Sequence, residues 1–375
     1  MKIGPPSTSQ KAESERTSIE SIPSPSSLVA KRADPTINRM DIPKQDSHHS
    51  GALKSNAPLP SRATYKAGVA AIQAEVEAEQ DLPLQPGAHS YFMAHDNPPP
   101  KGVVVLFHGF SSGAWQFENI AKEMHDRGFN VFAVRMPGHG FRTPGGTDDG
   151  RHLPQSHQHQ QYEAFADHVH TLVKGLGGPI RVLGQSGGGA VAANFVRRHS
   201  DVKQAVLFAP FLGIARSDAR AVFGTMSKMD SIFANYPGRV LNAITVDAYD
   251  GVDPRTLEGD PVSRYREISL GSVYALHRFG REQARQATEI SVPLQILSTV
   301  HDDSSGLYGI EELYNKTSGN EHCAWQHFTA EDNIPHAMAH IRDARSEEKV
   351  QRVTKIAMDF FEKGESCHNP GGSER

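Results

Sequence analysis

The sequence predicts an α/β fold: a mostly parallel sheet with helices on both faces and a helical cap inserted ahead of the last strands. Three observations carry this expectation. Short apolar runs recur along the chain, among them VVVLF (103–107), VFAV (131–134), AVLFA (205–209) and LQILS (294–298), and such runs suit strands buried on both faces. Segments with helical spacing lie between them, and strands that alternate with helices imply parallel pairing. Residues 211–291 contain few strand-like runs and several helix-like ones. That is too long for a plain crossover and reads as a cap over the sheet end where ligands bind.

The elements follow in order. KAGVAAIQAEVEAEQ (66–80) has the composition of a short helix that stops before Pro83. SYFMA (90–94) is a first strand, followed by a turn at Asn97 and three prolines, and VVVLF (103–107) is the first buried strand. WQFENIAKEMHDRGF (115–129) spaces Phe117, Ile120, Ala121 and Met124 along one helical face, with Gly128 as its stop. After VFAV come a helix over 161–176, the strand IRVLG (180–184), a helix from Ser186 to about His199, and AVLFA. Within the cap, FGTMSKMDSIFANY (223–236) and SLGSVYALHRFGREQARQA (269–287) are the best helices. LQILS, AWQHF (324–328) and a last helix over 346–362 complete the pattern, and no internal repeat is present.

Composition sets the domain limits and excludes several functions. Of 375 residues, 37% are hydrophobic and 22% charged, as in a globular protein with a sizeable core. The formal net charge of -4 argues against nucleic acid, whose phosphates call for a basic excess. No apolar run reaches the length of a membrane span, and the start, MKIGPPSTSQ, lacks the apolar stretch of a secretory signal. Cys323 and Cys367 are the only cysteines, too few for a disulfide framework or a cysteine-rich zinc site, and are read as free thiols. Residues 1–62 hold 12 Ser and 8 Pro but no aromatic residue, so they cannot bury enough apolar surface to offset their ordering entropy. The expected organisation is a disordered tail over 1–62, a core over 63–210 and 292–363, the cap over 211–291 and a flexible end over 364–375. A cytoplasmic location is expected, with export by a specialised secretion system through the Ser/Pro-rich tail as the alternative. The sequence does not indicate an oligomeric state.

Chemistry concentrates in a few loops. Gly184-Gln185-Ser186-Gly187-Gly188 fits G-x-S-x-G between a strand and a helix, where a serine sits on a sharp turn with its hydroxyl projecting. A serine hydroxyl needs a base to take its proton, and a histidine base needs a carboxylate to orient it. In this arrangement the order is Ser, acid, His. LQILS leads into Asp302 and Asp303, and AWQHF leads into His336. His336 precedes the last helix and is preferred to His340, one turn further on. The attacked carbonyl oxygen needs preorganised donors. The amide of Gly187 is one, and the loop His108-Gly109-Phe110 supplies the other at Phe110. His108 itself reads as structural. Other polar patterns read as bland. His157 and His159 lie in a Gln-rich loop and are expected at the surface. His168 and His170 have a spacing that does not suit a metal on a helix. Gly145-Gly146 with Asp148-Asp149 reads as a turn, with no calcium-loop spacing.

VVVLFHGFSSG (103–113), VRMPGHG (134–140), GQSGG (184–188), the strand leading to Asp302 and IPHA (334–337) together resemble the α/β-hydrolase superfamily. The resemblance spans about 87–363. PGHG followed by a polar loop and a helix containing Asp167 is similar to the monoglyceride lipase and lysophospholipase-like branch, which also holds serine aminopeptidase relatives. It implies a serine hydrolase acting on a small-molecule ester through an acyl-enzyme, with no metal and no cofactor. It also implies Ser186, Asp302 and His336 as the triad, because the strand-to-acid spacing favours Asp302, with Asp303 as the alternative. Ser298-Thr299 departs from the His-Gly of many relatives. Phe223, Met226, Met229, Phe233 and Tyr236 in the cap suggest an apolar acyl group, although they could equally be the cap's own core. An amidase or aminopeptidase, or a non-enzymatic ligand-binding member of the fold, are the other readings.

Overall fold

The computed structural model describes residues 59–99, 101–142, 150–232, 236–247, 265, 267–317 and 323–363. The expectations for residues 1–58, for the 145–149 turn, for Phe233 and for 364–375 with Cys367 lie outside the described residues. So does the side chain of Tyr236.

Nine strands form two sheets among the described residues: β1 (Tyr91–Met93), β2 (Val103–Phe107), β3 (Asn130–Val134), β4 (Ile180–Gln185), β5 (Val202–Phe208), β6 (Thr245–Asp247), β7 (Glu267–Ser269), β8 (Leu294–Thr299) and β9 (Cys323–Phe328). The main sheet has the order β1-β3-β2-β4-β5-β8-β9. Only β1 runs antiparallel to its neighbour; the other pairs are parallel. The helices are α1 (Arg62–Ala78), α2 (Glu118–Asp126), α3 (Gln160–Lys174), α4 (Gly187–Arg198), α5 (Ser217–Ile232), α6 (Tyr236–Val240), α7 (Leu270–Arg285), α8 (Leu307–Thr317), α9 (Ile341–Ala344) and α10 (Glu347–Lys363).

Side chains alternate across a strand, so β2 feeds two cores. Val103, Val105 and Phe107 join a cluster with residues of α1, α3, α4, α7 and α8, whereas Val104 and Leu106 pack with α2 and α10. Both faces are thus covered, which is why the strands read as near-continuous apolar runs.

Several elements differ from the sequence expectation. The first helix begins at Arg62, four residues before the expected 66. Ser61 caps it by accepting the Thr64 N–H at 3.1 Å, and Tyr65 is buried with its hydroxyl donating to the His95 carbonyl at 2.8 Å. The expected tail boundary at 62 therefore falls inside folded structure. Apolar spacing missed this turn because a cap and one aromatic anchor define it. Helix α8 was not anticipated. Among its described residues the cap also contains strand, since β6 and β7 pair as a short antiparallel ribbon. Its last helix, α7, places Leu276 and Phe279 in the core shared with the sheet.

The turn between β4 and α4 is closely packed. A Cβ on Gly184 would lie 2.2 Å from the Gly188 carbonyl oxygen, and one on Gly188 would lie 2.0 Å from that of Phe107. Both obstacles are backbone, so they cannot rotate away. Gly188→Ala is expected to lower stability by about 1–3 kcal/mol, read as a fall in the urea midpoint. An unchanged midpoint would show that β2 and α4 can separate without cost.

Candidate active site

The strand-to-helix turn puts Ser186 at φ 54 and ψ -116, a strained conformation for a residue with a side chain. Such a turn lifts the side chain out of the sheet at the strand's carboxyl end. There Ser186 Oγ lies 2.9 Å from His336 Nε2. His336 comes from the loop between β9 and α9, and its Nδ1 lies 2.8 Å from Asp302 Oδ2.

The two adjacent aspartates occupy different places. Asp302 has a side chain only 5% exposed. Its Oδ1 accepts the N–H groups of Ser304 and Ser305 at 3.0 and 2.7 Å, which leaves Oδ2 facing the imidazole. Asp303 accepts from the Ser304 hydroxyl at 3.3 Å and lines the cavity in front of Ser186. Burial pushes His336 toward the neutral form, but the charge and contact of Asp302, with Asp303 and Asp343 beyond, outweigh it. The net result is a pKa raised above the usual 6.5.

The oxyanion candidates converge. Gly187 opens α4, and N–H groups of a helix's first turn have no partner within the helix. A Cβ built on Gly187 would lie 3.3 Å from the Phe110 amide nitrogen, so the two backbones meet beside Ser186. His108 holds this loop: its Nδ1 donates to the Gly109 carbonyl at 2.9 Å, and its Nε2 accepts the Met136 N–H at 3.0 Å. Burial pushes it down to about 4, with the Gly109 contact opposing, so the ring stays neutral with the proton on Nδ1.

Two further residues of the site escaped the sequence reading. The Gly109 N–H donates to Gln116 Oε1 at 2.7 Å, and Gln116 Nε2 donates to Asp343 Oδ2 at 3.3 Å. This ties the loop of Gly109 and Phe110 to the segment after His336. Gln116 left one clue, a polar residue inside the apolar run AWQF; Asp343 left none. His340 caps α9 by accepting the Arg342 N–H at 3.2 Å and sets its ring edge-on to Trp115. His159 is buried, contrary to expectation. The cap covers its loop, with Ser269 donating to Gln155 at 2.7 Å, and burial pushes His159 down to about 4. His168 meets Glu75, and His170 stacks on His199 beside Asp201. Among the described residues no group of three or more His, Cys, Asp or Glu could hold a metal ion, and no helix is long and apolar enough to cross a membrane.

A cavity of about 360 Å³ opens over Ser186. One part of its lining is apolar (Phe110, Phe211, Ile214, Ile268, Val273, Leu276) and another polar (Ser111, Ser112, Gln116, Asp303, Asp343). Of the cap residues expected to mark an acyl pocket, the described side chains Phe223, Met226 and Met229 do not line it. Phe223 packs with Leu241 and Tyr274 in a cluster of the cap's own, Met226 lies against that cluster, and Met229 is exposed.

The family model for serine aminopeptidase, S33, matches residues 98–327. The chain belongs to this family. It is similar to the monoacylglycerol lipase of Mycolicibacterium smegmatis, 28% identical over 218 residues, which are 56% of this chain and 71% of that protein. Two solved structures share its architecture. The monoacylglycerol lipase of Paleococcus ferrophilus superposes with a TM-score of 0.55 at 16% identity, over 73% of this chain and 97% of that one. A soluble variant of the Saccharomyces cerevisiae monoglyceride lipase, in complex with a substrate analog, gives a TM-score of 0.55 at 14% identity, over 75% and 92%. The fold of this S33 member is thus that of the α/β-hydrolases.

The buried neutral His108 makes stability depend on pH. Its folded pKa is depressed, so between about pH 6.5 and 4 the unfolded chain binds a proton that the folded protein refuses, and stability falls as pH falls. One group shifted to about 4 contributes about 3 kcal/mol across that window. His108→Gln should reduce the loss of stability between pH 7 and 5, read by urea unfolding. An equal loss in the variant would mean that His108 is not held neutral.

Proposed function

We propose that this S33-family hydrolase cleaves carboxylic esters through an acyl-enzyme on Ser186. The observation that carries the reading is the 2.9 Å contact of Ser186 Oγ with His336 Nε2, backed by Asp302 at 2.8 Å on the other ring nitrogen. His336 takes the proton as Ser186 Oγ attacks the ester carbonyl, and Asp302 holds the tautomer and stabilises the imidazolium. The amides of Phe110 and Gly187 receive the developing oxyanion. The imidazolium then gives its proton to the departing alcohol, and water attacks the acyl-enzyme with the same histidine as base. No metal or cofactor takes part in these steps. The apolar lining favours an apolar acyl group, and the polar lining favours the alcohol side of a small-molecule ester.

Amide cleavage is the second reading, favoured by the family's description as serine aminopeptidase. Parallel assays with p-nitrophenyl esters of rising chain length and p-nitroanilides separate the two. Fluorophosphonate labelling of Ser186 separates both from a non-enzymatic binding protein, which would not be labelled.

Ser186→Ala should keep its fold and lose turnover by several orders of magnitude; near wild-type turnover would remove Ser186 from the mechanism. Asp302→Asn should lower turnover by about 10⁴-fold, as in the serine-protease template, whereas Asp303→Asn should cost less than about tenfold. Because the base must be neutral, kcat/KM should fall as pH drops through a midpoint above 6.5. Asp302→Asn should move that midpoint down, since the carboxylate holds the proton on the ring. A dead Asp303→Asn beside an active Asp302→Asn would transfer the role to Asp303.

A further inference from the structure

Gln185 ends β4 and is fully buried, one residue before Ser186. Its side chain faces the loop that carries His336. Nε2 donates to the His336 carbonyl at 2.8 Å and also lies 3.3 Å from the Phe208 carbonyl. Oε1 accepts the Met338 N–H at 3.2 Å. A carboxamide has a donor and an acceptor side by side, so this one side chain pairs with the backbone on both sides of Ala337. A second side-chain anchor on this loop lies upstream, where the Thr299 hydroxyl donates to the Ile334 carbonyl at 2.6 Å. Thr299 belongs to the strand that leads to Asp302. The histidine is therefore held between the strand of the acid and the strand of the serine.

We infer that Gln185 is a positioning residue for the proposed reaction: it locks the backbone of His336 to the turn of Ser186, so that base and nucleophile keep one geometry. The inference rests on the acyl-enzyme reading for its effect on turnover, but not for its effect on the ring. An apolar residue here leaves the His336 carbonyl and the Met338 N–H unpaired, and the loop relaxes. The ring then drifts from both Ser186 and Asp302. A displacement of about 1 Å can cost about 100-fold in rate. Weaker contact with Asp302 also lowers the affinity of the ring for its proton.

The test uses the full chain with Gln185→Met, which keeps the length of the side chain, and Gln185→Leu. The expected result is kcat lowered by about 10- to 100-fold, KM within about twofold, and a lower midpoint for the acid limb of kcat/KM. NMR titration of the His336 ring, assigned by its loss in His336→Gln, should show the same downward shift without reference to turnover. A lower melting temperature with an unmoved His336 midpoint would overturn the inference, because that is what a merely structural buried amide predicts. In the wild-type protein the Met338 amide should resist hydrogen exchange as strongly as β4; exchange at loop rates would overturn the inference even if neither variant folds. If wild-type Ser186 takes no fluorophosphonate, the acyl-enzyme reading fails, and the ring titration alone decides whether Gln185 holds His336.

Discussion

The site depends on the close approach of α4 to the sheet. A helix whose first turn nearly touches the carbonyl of Phe107 can follow β4 only through a sharp turn, and only residues without a side chain fit at Gly184 and Gly188. The strain falls on Ser186, at φ 54. A positive φ there is costly for a serine and persists because the surrounding packing over-determines it. The same turn brings the start of α4 beside the Phe110 backbone. One packing constraint thus sets both the exposure of a hydroxyl and the meeting of two backbone segments.

Asp302, His336 and Phe110 come from loops, and loops move unless they are tied. Buried side chains tie them here. His108 bridges Gly109 and Met136, Gln116 links Gly109 to Asp343, and Thr299 binds Ile334. Each pairs polar groups that would be costly to leave unsatisfied away from water. The network is therefore a stabilising device as well as a source of rigidity.

Charge around His336 is one-sided. Asp302 touches the ring, and Asp303 and Asp343 add to the field that outweighs burial. An imidazole so placed is a stronger base than a free one and stabilises its own protonated form. The Asp302 carboxylate keeps its orientation because two backbone N–H groups hold its other oxygen.

The sequence by itself determined the fold class, most strands and the location of the loops that meet at the site. These are local properties: apolar runs, helical spacing and the glycines of GQSGG each constrain the chain within a few residues. Ser186 and His336 were legible for that reason, since each sits at a fixed place after a strand. Tertiary structure alone decided what depends on distant packing. It separated Asp302 from Asp303, adjacent residues with the same chemistry that differ only in which way the loop turns them. It buried His159 under the cap, placed Phe223 in the cap's own core rather than the cavity, and joined Gln116 to Asp343 across 227 positions. Sequence pattern reports what a residue prefers; which partner meets it is set by loops closing over the sheet, and that information lies in contacts far apart along the chain.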